Sequence, residues 1–123
     1  MMVISINQQS NIPVFKQLVE EIKLKIASGE LQKGEQLPSI RELAVSLNLN
    51  PNTVMKSYKE LEREGLVKTQ MGKGVFVNQT LNETTVNSLK KKILFQKIDE
   101  MVNTAKMLNI EKQEIIEEIN KRY

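Results

Sequence analysis

Residues 39–64 read SIRELAVSLNLNPNTVMKSYKELERE, and this stretch decides the fold. It predicts two short helices joined by a tight polar turn. In the second helix Val54, Tyr58 and Leu61 recur at helical spacing, which predicts a buried face. The opposite face carries a row of amide and cationic side chains: Asn52, Lys56, Lys59 and Arg63. Such a row suits a helix that reads a DNA groove, although for the periodicity alone an ordinary solvated face is the commoner explanation.

Both helices have start signals. Ser39 and Glu42 have the S-x-x-E spacing of a capping box, which predicts that the first helix begins after Ser39. Asn50 is a strong N-cap, and Pro51 suits the first helical position because its missing N–H needs no partner there. The second helix is therefore predicted to begin at Asn50 and to run to about Glu64.

Several side chains near these helix starts, that of Ser39 among them, are candidates for DNA contact. The free N–H groups of the second helix and the side chains of Asn52 and Thr53 can approach phosphates or base edges. Lys56 and Lys59 follow one and two turns later. Arg41 lies in the first turn of the preceding helix, where the helix dipole disfavours a cation, so an external phosphate is one explanation for it. A solvated arginine is an equal alternative.

The flanking sequence completes a recognisable order of elements. Residues 12–28 predict a helix with a stripe of apolar residues, and residues 66–69 and 74–78 predict two strands around a glycine-containing turn. Lys73, between Gly72 and Gly74, could place a cation in a narrow minor groove, although glycine tips are common in hairpins. The order helix, helix, turn, helix, hairpin predicts a mainly α fold with a small β-hairpin, a winged helix-turn-helix over residues 11–78.

The C-terminal region, residues 79–123, predicts a polar linker near residues 78–83 and then two helices, about 84–108 and 111–122, with a break at Asn109. Two helices in 45 residues cannot enclose much core alone, so their apolar faces must rest on the first domain, on a second copy, or on both. We predict a dimerisation region with these apolar contacts: Leu89, Ile93, Ile98, Met101, Leu108, Ile115 and Ile119.

Composition excludes several function classes. The 123 residues include no cysteine and no histidine, which removes thiolate chemistry, imidazole catalysis and the usual zinc sites. We expect no cofactor, no metal and no membrane span, and a cytoplasmic protein that is not an enzyme. The net charge of +3 is spread evenly, so the balance of charge does not by itself predict nucleic-acid binding.

Residues 29–77, GELQKGEQLPSIRELAVSLNLNPNTVMKSYKELEREGLVKTQMGKGVFV, resemble the DNA-binding domain of the GntR transcription regulators over its whole length. The short C-terminal region and the turn at residues 50–54 are similar to the YtrA-type subfamily. The resemblance implies a bacterial repressor with a two-helix dimerisation appendage, often controlling operons for transporters of the ATP-binding-cassette class. Carried over by position, the family's DNA contacts fall on these residues: Arg41, Asn50, Asn52, Thr53, Gly72, Lys73 and Gly74.

One position departs from the family. Many members have arginine where this chain has Met55, and methionine cannot make the bidentate contact to guanine that arginine makes. Lys56 is the candidate to take over part of that role, so the operator sequence is not transferable from other members.

The leading hypothesis is a homodimeric repressor that binds double-stranded DNA at a palindromic operator and controls a transporter operon and its own. The alternative is a winged helix that only docks protein, which should expose large apolar anchors on its third helix. A small-molecule effector, still unidentified, would have to bind at the dimer interface or between the winged helix and the C-terminal helices.

Overall fold

The computed structural model describes residues 2–123, which divide into a first compact unit that runs to Lys90 and a second, Lys91–Tyr123. The predicted mainly helical architecture with one hairpin is confirmed. In chain order the elements are α1 (Val14–Ser28), α2 (Ile40–Leu47), α3 (Pro51–Arg63), β1 (Val67–Gln70), β2 (Gly74–Val77), α4 (Glu83–Met107) and α5 (Lys112–Arg122).

The core of the first unit lies between α1, α3 and the hairpin. The predicted buried face of α3 is confirmed, since Val54, Tyr58 and Leu61 are all buried. They meet the stripe of α1, in which Leu18 and Ile22 are fully buried. Burying such side chains contributes about 1.5–3 kcal/mol each. The packing of α1 on α3 therefore fixes which face of α3 is left to solvent.

The predicted helix starts and stops are present. The Ser39 Oγ accepts from the Glu42 N–H at 3.0 Å, and the Glu42 Oε1 accepts from the Ser39 N–H at 3.2 Å, which completes the capping box. Asn48 ends α2 in the left-handed region with φ of 55°. The Asn50 Oδ1 then accepts from the Asn52 N–H at 2.8 Å and caps α3. The turn between the two helices is thus fixed by local hydrogen bonds.

The hairpin pairs Val67 with Val77 and Gln70 with Gly74 in antiparallel register. The loop before α2 runs along its second strand. The Leu37 N–H donates to the Val75 carbonyl at 2.8 Å, and the Val77 N–H donates to the Glu35 carbonyl at 2.8 Å. This loop holds the hairpin against the helices.

Two segments of the first unit differ from the sequence prediction. Helix α1 begins at Val14 and not at residue 12, because Pro13 has extended backbone with ψ of 141°. Residues 78–83, expected to be a polar linker, bury Leu81 in the core, and Val86 and Leu89 of the first turns of α4 pack beside it. Ile4, before α1, is also buried there. The first unit thus extends beyond the predicted boundary at residue 78.

The second unit consists of the rest of α4 and α5. Asn109 has φ of 56°, so the predicted break between the two helices is confirmed. Ala105 is buried, whereas many larger apolar side chains of this unit stay exposed. Among residues 2–123, no helix combines the length and apolar content that a bilayer span requires.

Candidate nucleic-acid interface

The solvent-facing side of α3 is polar. Asn52, Lys56 and Lys59 are exposed, and Thr53 is half-buried at the edge of the core. In α3 the large apolar side chain left exposed is Met55, at 37%. A face of this composition offers hydrogen-bond donors and cations, and it lacks the cluster of apolar anchors expected of a protein-docking helix.

Lys56 is more constrained than the sequence predicts. Its Nζ lies 3.9 Å from the centroid of the Phe15 ring, a cation–π contact between α3 and α1. Such a contact at an exposed site contributes about 0.5–1 kcal/mol. The ammonium can reach a phosphate beside Phe15, but reaching across to the position of Met55 would break the contact. The ring of Phe15 is therefore part of the surface beside α3, which the sequence did not indicate.

Ser39 and Arg41 lie at the start of α2. The Ser39 Oγ accepts the capping hydrogen bond that fixes the first turn, and its O–H remains available as a donor. Arg41 is exposed on that turn and forms no ion pair with any of residues 2–123. Its guanidinium keeps all five N–H donors available for an anion.

Three other cations of the first unit, Lys23, Lys25 and Arg63, are paired. The Lys23 Nζ lies 2.8 Å from a Glu64 carboxylate oxygen. Arg63 binds Glu60 through two nitrogens, at 2.8 and 2.6 Å, and this hydrogen bonding lowers the pKa of Glu60 to about 2. Arg63 belongs to the polar row that the sequence predicts on α3. Its guanidinium is thus bound to a neighbour on the same helix, Glu60.

The tip of the hairpin, which we call the wing, comprises residues 70–74. The Lys73 N–H donates to the Gln70 carbonyl at 2.9 Å, and Gly72 has φ of 72°, the sign that a type II turn needs at this position. The Gln36 Nε2 donates to the Lys73 carbonyl at 2.9 Å. A Cβ at Gly74 would lie 2.6 Å from that nitrogen, so glycine is required for the contact.

The residues of the hairpin carry charge of one sign, and Glu62 of α3 brings a carboxylate to β1, where its Oε2 accepts from the Thr69 N–H at 2.9 Å. Residues 65–82 contain no aspartate or glutamate, and they contain Lys68 and Lys73, both exposed. Neither lysine forms an ion pair within the described chain. A carboxylate-free, cationic hairpin is suited to a polyanionic partner.

All ten predicted DNA-contact residues lie in the first unit, on the start of α2, on α3 with its N-cap Asn50, and at the wing. The sequence did not indicate the roles of Phe15, which contacts Lys56, and of Gln36, which donates a hydrogen bond to the wing. Of the predicted dimerisation residues, Leu89 is half-buried on the core of the first unit. The second unit carries the other six: Ile93, Ile98, Met101, Leu108, Ile115 and Ile119.

The first unit also contains a cavity of about 520 Å³ between the C-terminal end of α1 and the first turns of α4. Apolar side chains such as Leu31, Leu81 and Val86 line it together with Lys33, Glu83 and Lys90. Its size is within the range of small-ligand sites. Residues 2–123 contain no cluster of carboxylates that could hold a metal ion.

Comparison with known proteins agrees with this geometry. Residues 15–77 match the family described as bacterial regulatory proteins, gntR family. The HTH-type transcriptional repressor YtrA of Bacillus subtilis is 33% identical over 114 residues, covering 93% of this chain and 87% of YtrA. This relationship confirms the predicted resemblance to YtrA.

Solved structures give the same result. A GntR family transcriptional regulator from Listeria monocytogenes superposes with a TM-score of 0.79 at 30% identity, covering 92% of this chain and 97% of that one. The DNA-binding domain of AraR, in complex with an operator, matches with a TM-score of 0.56 at 25% identity, over 60% of this chain and 95% of that one. These relatives are regulators and not enzymes, as the sequence predicted. The chain belongs to the GntR family and is a DNA-binding transcriptional regulator with a winged-helix fold.

Proposed function

We propose that the chain is a repressor that binds a palindromic operator as a homodimer. Each copy places α3 in the major groove and the wing in the adjacent minor groove. The observation that carries the proposal is the contrast in ion pairing within the first unit. Arg41, Lys59 and Lys73 have no carboxylate partner among residues 2–123, whereas Lys23, Lys25 and Arg63 do. The unpaired cations are free to neutralise phosphates.

We expect the first turn of α3 and Arg41 to contact the base edges directly. Asn52 presents an amide that can bond adenine, and Arg41 presents a fork that suits guanine or phosphate. Thr53 offers a hydroxyl and a methyl group at the edge of the core. Lys56, held over Phe15, and Lys59 suit phosphate contacts. Met55 contributes apolar contact alone, which is why the operator differs from that of members with arginine at this position.

The apolar side chains of the second unit support the homodimer. Ile98 and Met101 are each 39% exposed, and Leu108 and Ile119 are exposed as well. A second copy would cover them, and a two-fold dimer on DNA requires half-sites about 10 base pairs apart or a multiple of that. We leave Leu89 out of the proposed interface because it packs partly on the first unit.

The target genes are part of the same proposal. We assign the protein to a transporter operon and to its own promoter, with the cavity beside α1 as the place for a small-molecule effector. Selection of operators from random DNA, followed by location of the selected palindrome in the genome, tests this assignment. Selected sites that lie far from any transporter gene and from the protein's own gene would exclude it.

The contact residues are tested on the selected operator. Arg41→Ala and Thr53→Ala should each reduce specific binding by about 1–3 kcal/mol, because each loses a base or phosphate contact. Lys112→Ala is the matched control, since it removes an exposed cation of α5 and leaves the winged helix intact. Fluorescence anisotropy titrations measure the affinities. If both variants bind as tightly as the control, Arg41 and Thr53 are not contact residues.

A further inference from the structure

Met71 is an unusual side chain for the tip of a hairpin. It is 94% exposed, so the folded first unit gives its apolar chain almost no cover. Methionine is unbranched and polarisable, and it adapts to surfaces of irregular shape. A large apolar side chain in this position is available to a partner that approaches the wing.

The backbone under Met71 is fixed although its side chain is free. Met71 occupies the second position of the turn that the Lys73 N–H and the Gln70 carbonyl close at 2.9 Å. The Gln36 side chain holds the Lys73 carbonyl from the other side at 2.9 Å. The turn therefore presents the thioether from a defined position, and little backbone order has to be gained when a partner binds.

The charge around Met71 selects the partner. The neighbouring cations Lys68 and Lys73 are exposed, and residues 65–82 contain no carboxylate. A protein partner would need carboxylates placed beside an apolar pocket, whereas any DNA duplex offers phosphates to the lysines and base edges to the methionine. The combination of one apolar tip and flanking cations matches minor-groove proteins that insert an apolar side chain between base steps.

We propose that Met71 is a wedge that enters the minor groove beside Lys73 and opens one base step of the operator. The inference rests on the proposed function and adds a specificity-determining residue to it. Pyrimidine–purine steps unstack most easily, so a wedge favours such a step at the position that the wing reaches. The wedge also kinks the DNA towards the major groove. Met71 thus selects sequence through deformability, without a hydrogen bond to any base.

The test uses the full chain and the selected operator with fluorophores at both DNA ends. Met71→Ala should reduce the bend measured by energy transfer. It should also reduce the preference for a TA step over a GC step at the wing position by roughly tenfold, the loss expected when about half of a methionine is no longer buried. Met71→Leu should keep both properties because leucine also serves as a wedge. Val3→Ala is the matched control, since Val3 is an apolar side chain of the first unit that is 73% exposed and lies outside the proposed contact residues.

Two results separate this inference from the proposed function. Suppose that Met71→Ala bends the operator and prefers the TA step as the wild type does, while Arg41→Ala still weakens binding. The proposal that Met71 is a wedge is then wrong, and the operator-binding proposal stands. If the wild type selects no operator at all, the proposed function itself fails. A normal salt dependence of binding is expected for Met71→Ala, because the substitution removes no charge.

Discussion

At the scale of single residues, buried hydroxyl groups connect α3 to the rest of the first unit. The Tyr58 hydroxyl donates to the Pro38 carbonyl at 2.7 Å and joins α3 to the loop before α2. The Ser57 hydroxyl lies 3.0 Å from the Phe15 carbonyl of α1. Each such hydrogen bond contributes about 0.5–1.5 kcal/mol. These contacts help to set the angle at which α3 meets DNA.

Tyr58 makes folding stability sensitive to alkaline pH. Burial, and secondarily the Glu42 carboxylate, raise the pKa of Tyr58 well above 10. The neutral phenol is favoured in the folded chain, so its stabilisation is complete below about pH 10, where the unfolded tyrosine ionises, and is lost as the pH rises further. Tyr58→Phe should lower the free energy of unfolding by about 1 kcal/mol at pH 8. It should also lessen the fall in Tm between pH 9 and 11.

Thermal unfolding of both proteins across this pH range measures the effect. Tyr123, the other tyrosine, is fully exposed and stays in both proteins, so it cancels in the comparison. Curves of Tm against pH that remain parallel for the two proteins would contradict the assigned role of Tyr58.

Sequence predicts those residues whose roles are local. The capping box and the Asn50 cap involve partners two or three positions apart, so their spacing is visible in the chain. The bond from Gln36 to Lys73 joins residues 37 positions apart. The contact of Lys56 with Phe15 likewise crosses from α3 to α1. Neither contact has a local signal in the sequence, because its two side chains meet only after the helices and the hairpin have packed.

At the scale of elements, we expect the wing to contact DNA phosphates in a way that does not depend on the DNA sequence. Lys73→Ala should weaken binding by a similar factor on every DNA sequence and should reduce the slope of log K against log salt by about 1.8, as expected when each of the two copies loses one phosphate contact. Binding isotherms between 50 and 200 mM salt, on operator and on random DNA, provide the slopes. Lys112→Ala should leave the slope unchanged. A slope for Lys73→Ala equal to that of the wild type would place the wing off the DNA.

The sequence predicted the type of each element, but it did not predict where the first compact unit ends. Periodicity identified every helix, because apolar residues at spacings of three and four are a strong signal. It did not show that Ile4 and Leu81 enter the core, because both lie outside the helices and strands. Tertiary packing, which local patterns do not record, decides such positions.

At the scale of the whole molecule, the position of Leu81, Val86 and Leu89 changes how the dimer should be tested. A chain ending at Asn78 would remove all three from the core of the first unit. A chain ending at Lys90 keeps them and removes the second unit. We expect the chain ending at Lys90 to be folded and monomeric, and the chain ending at Asn78 to be less stable.

Sedimentation equilibrium and circular dichroism on the two shortened chains and the full chain measure these outcomes. Binding of the chain ending at Lys90 to a full palindrome should fall towards its affinity for a half-site, because the linkage between copies is lost. A chain ending at Lys90 that sediments as a dimer would assign the interface to the first unit.

The carboxylate-free wing also affects how fast the protein finds a site. With Lys68 and Lys73 exposed and no acid among its own residues, the hairpin attracts any duplex before the DNA sequence is read. Weak, sequence-independent capture of this kind lets a protein slide and hop along DNA. The cationic hairpin therefore contributes to the final complex and also shortens the search for the operator. At higher ionic strength we expect the search to slow and the complex to weaken.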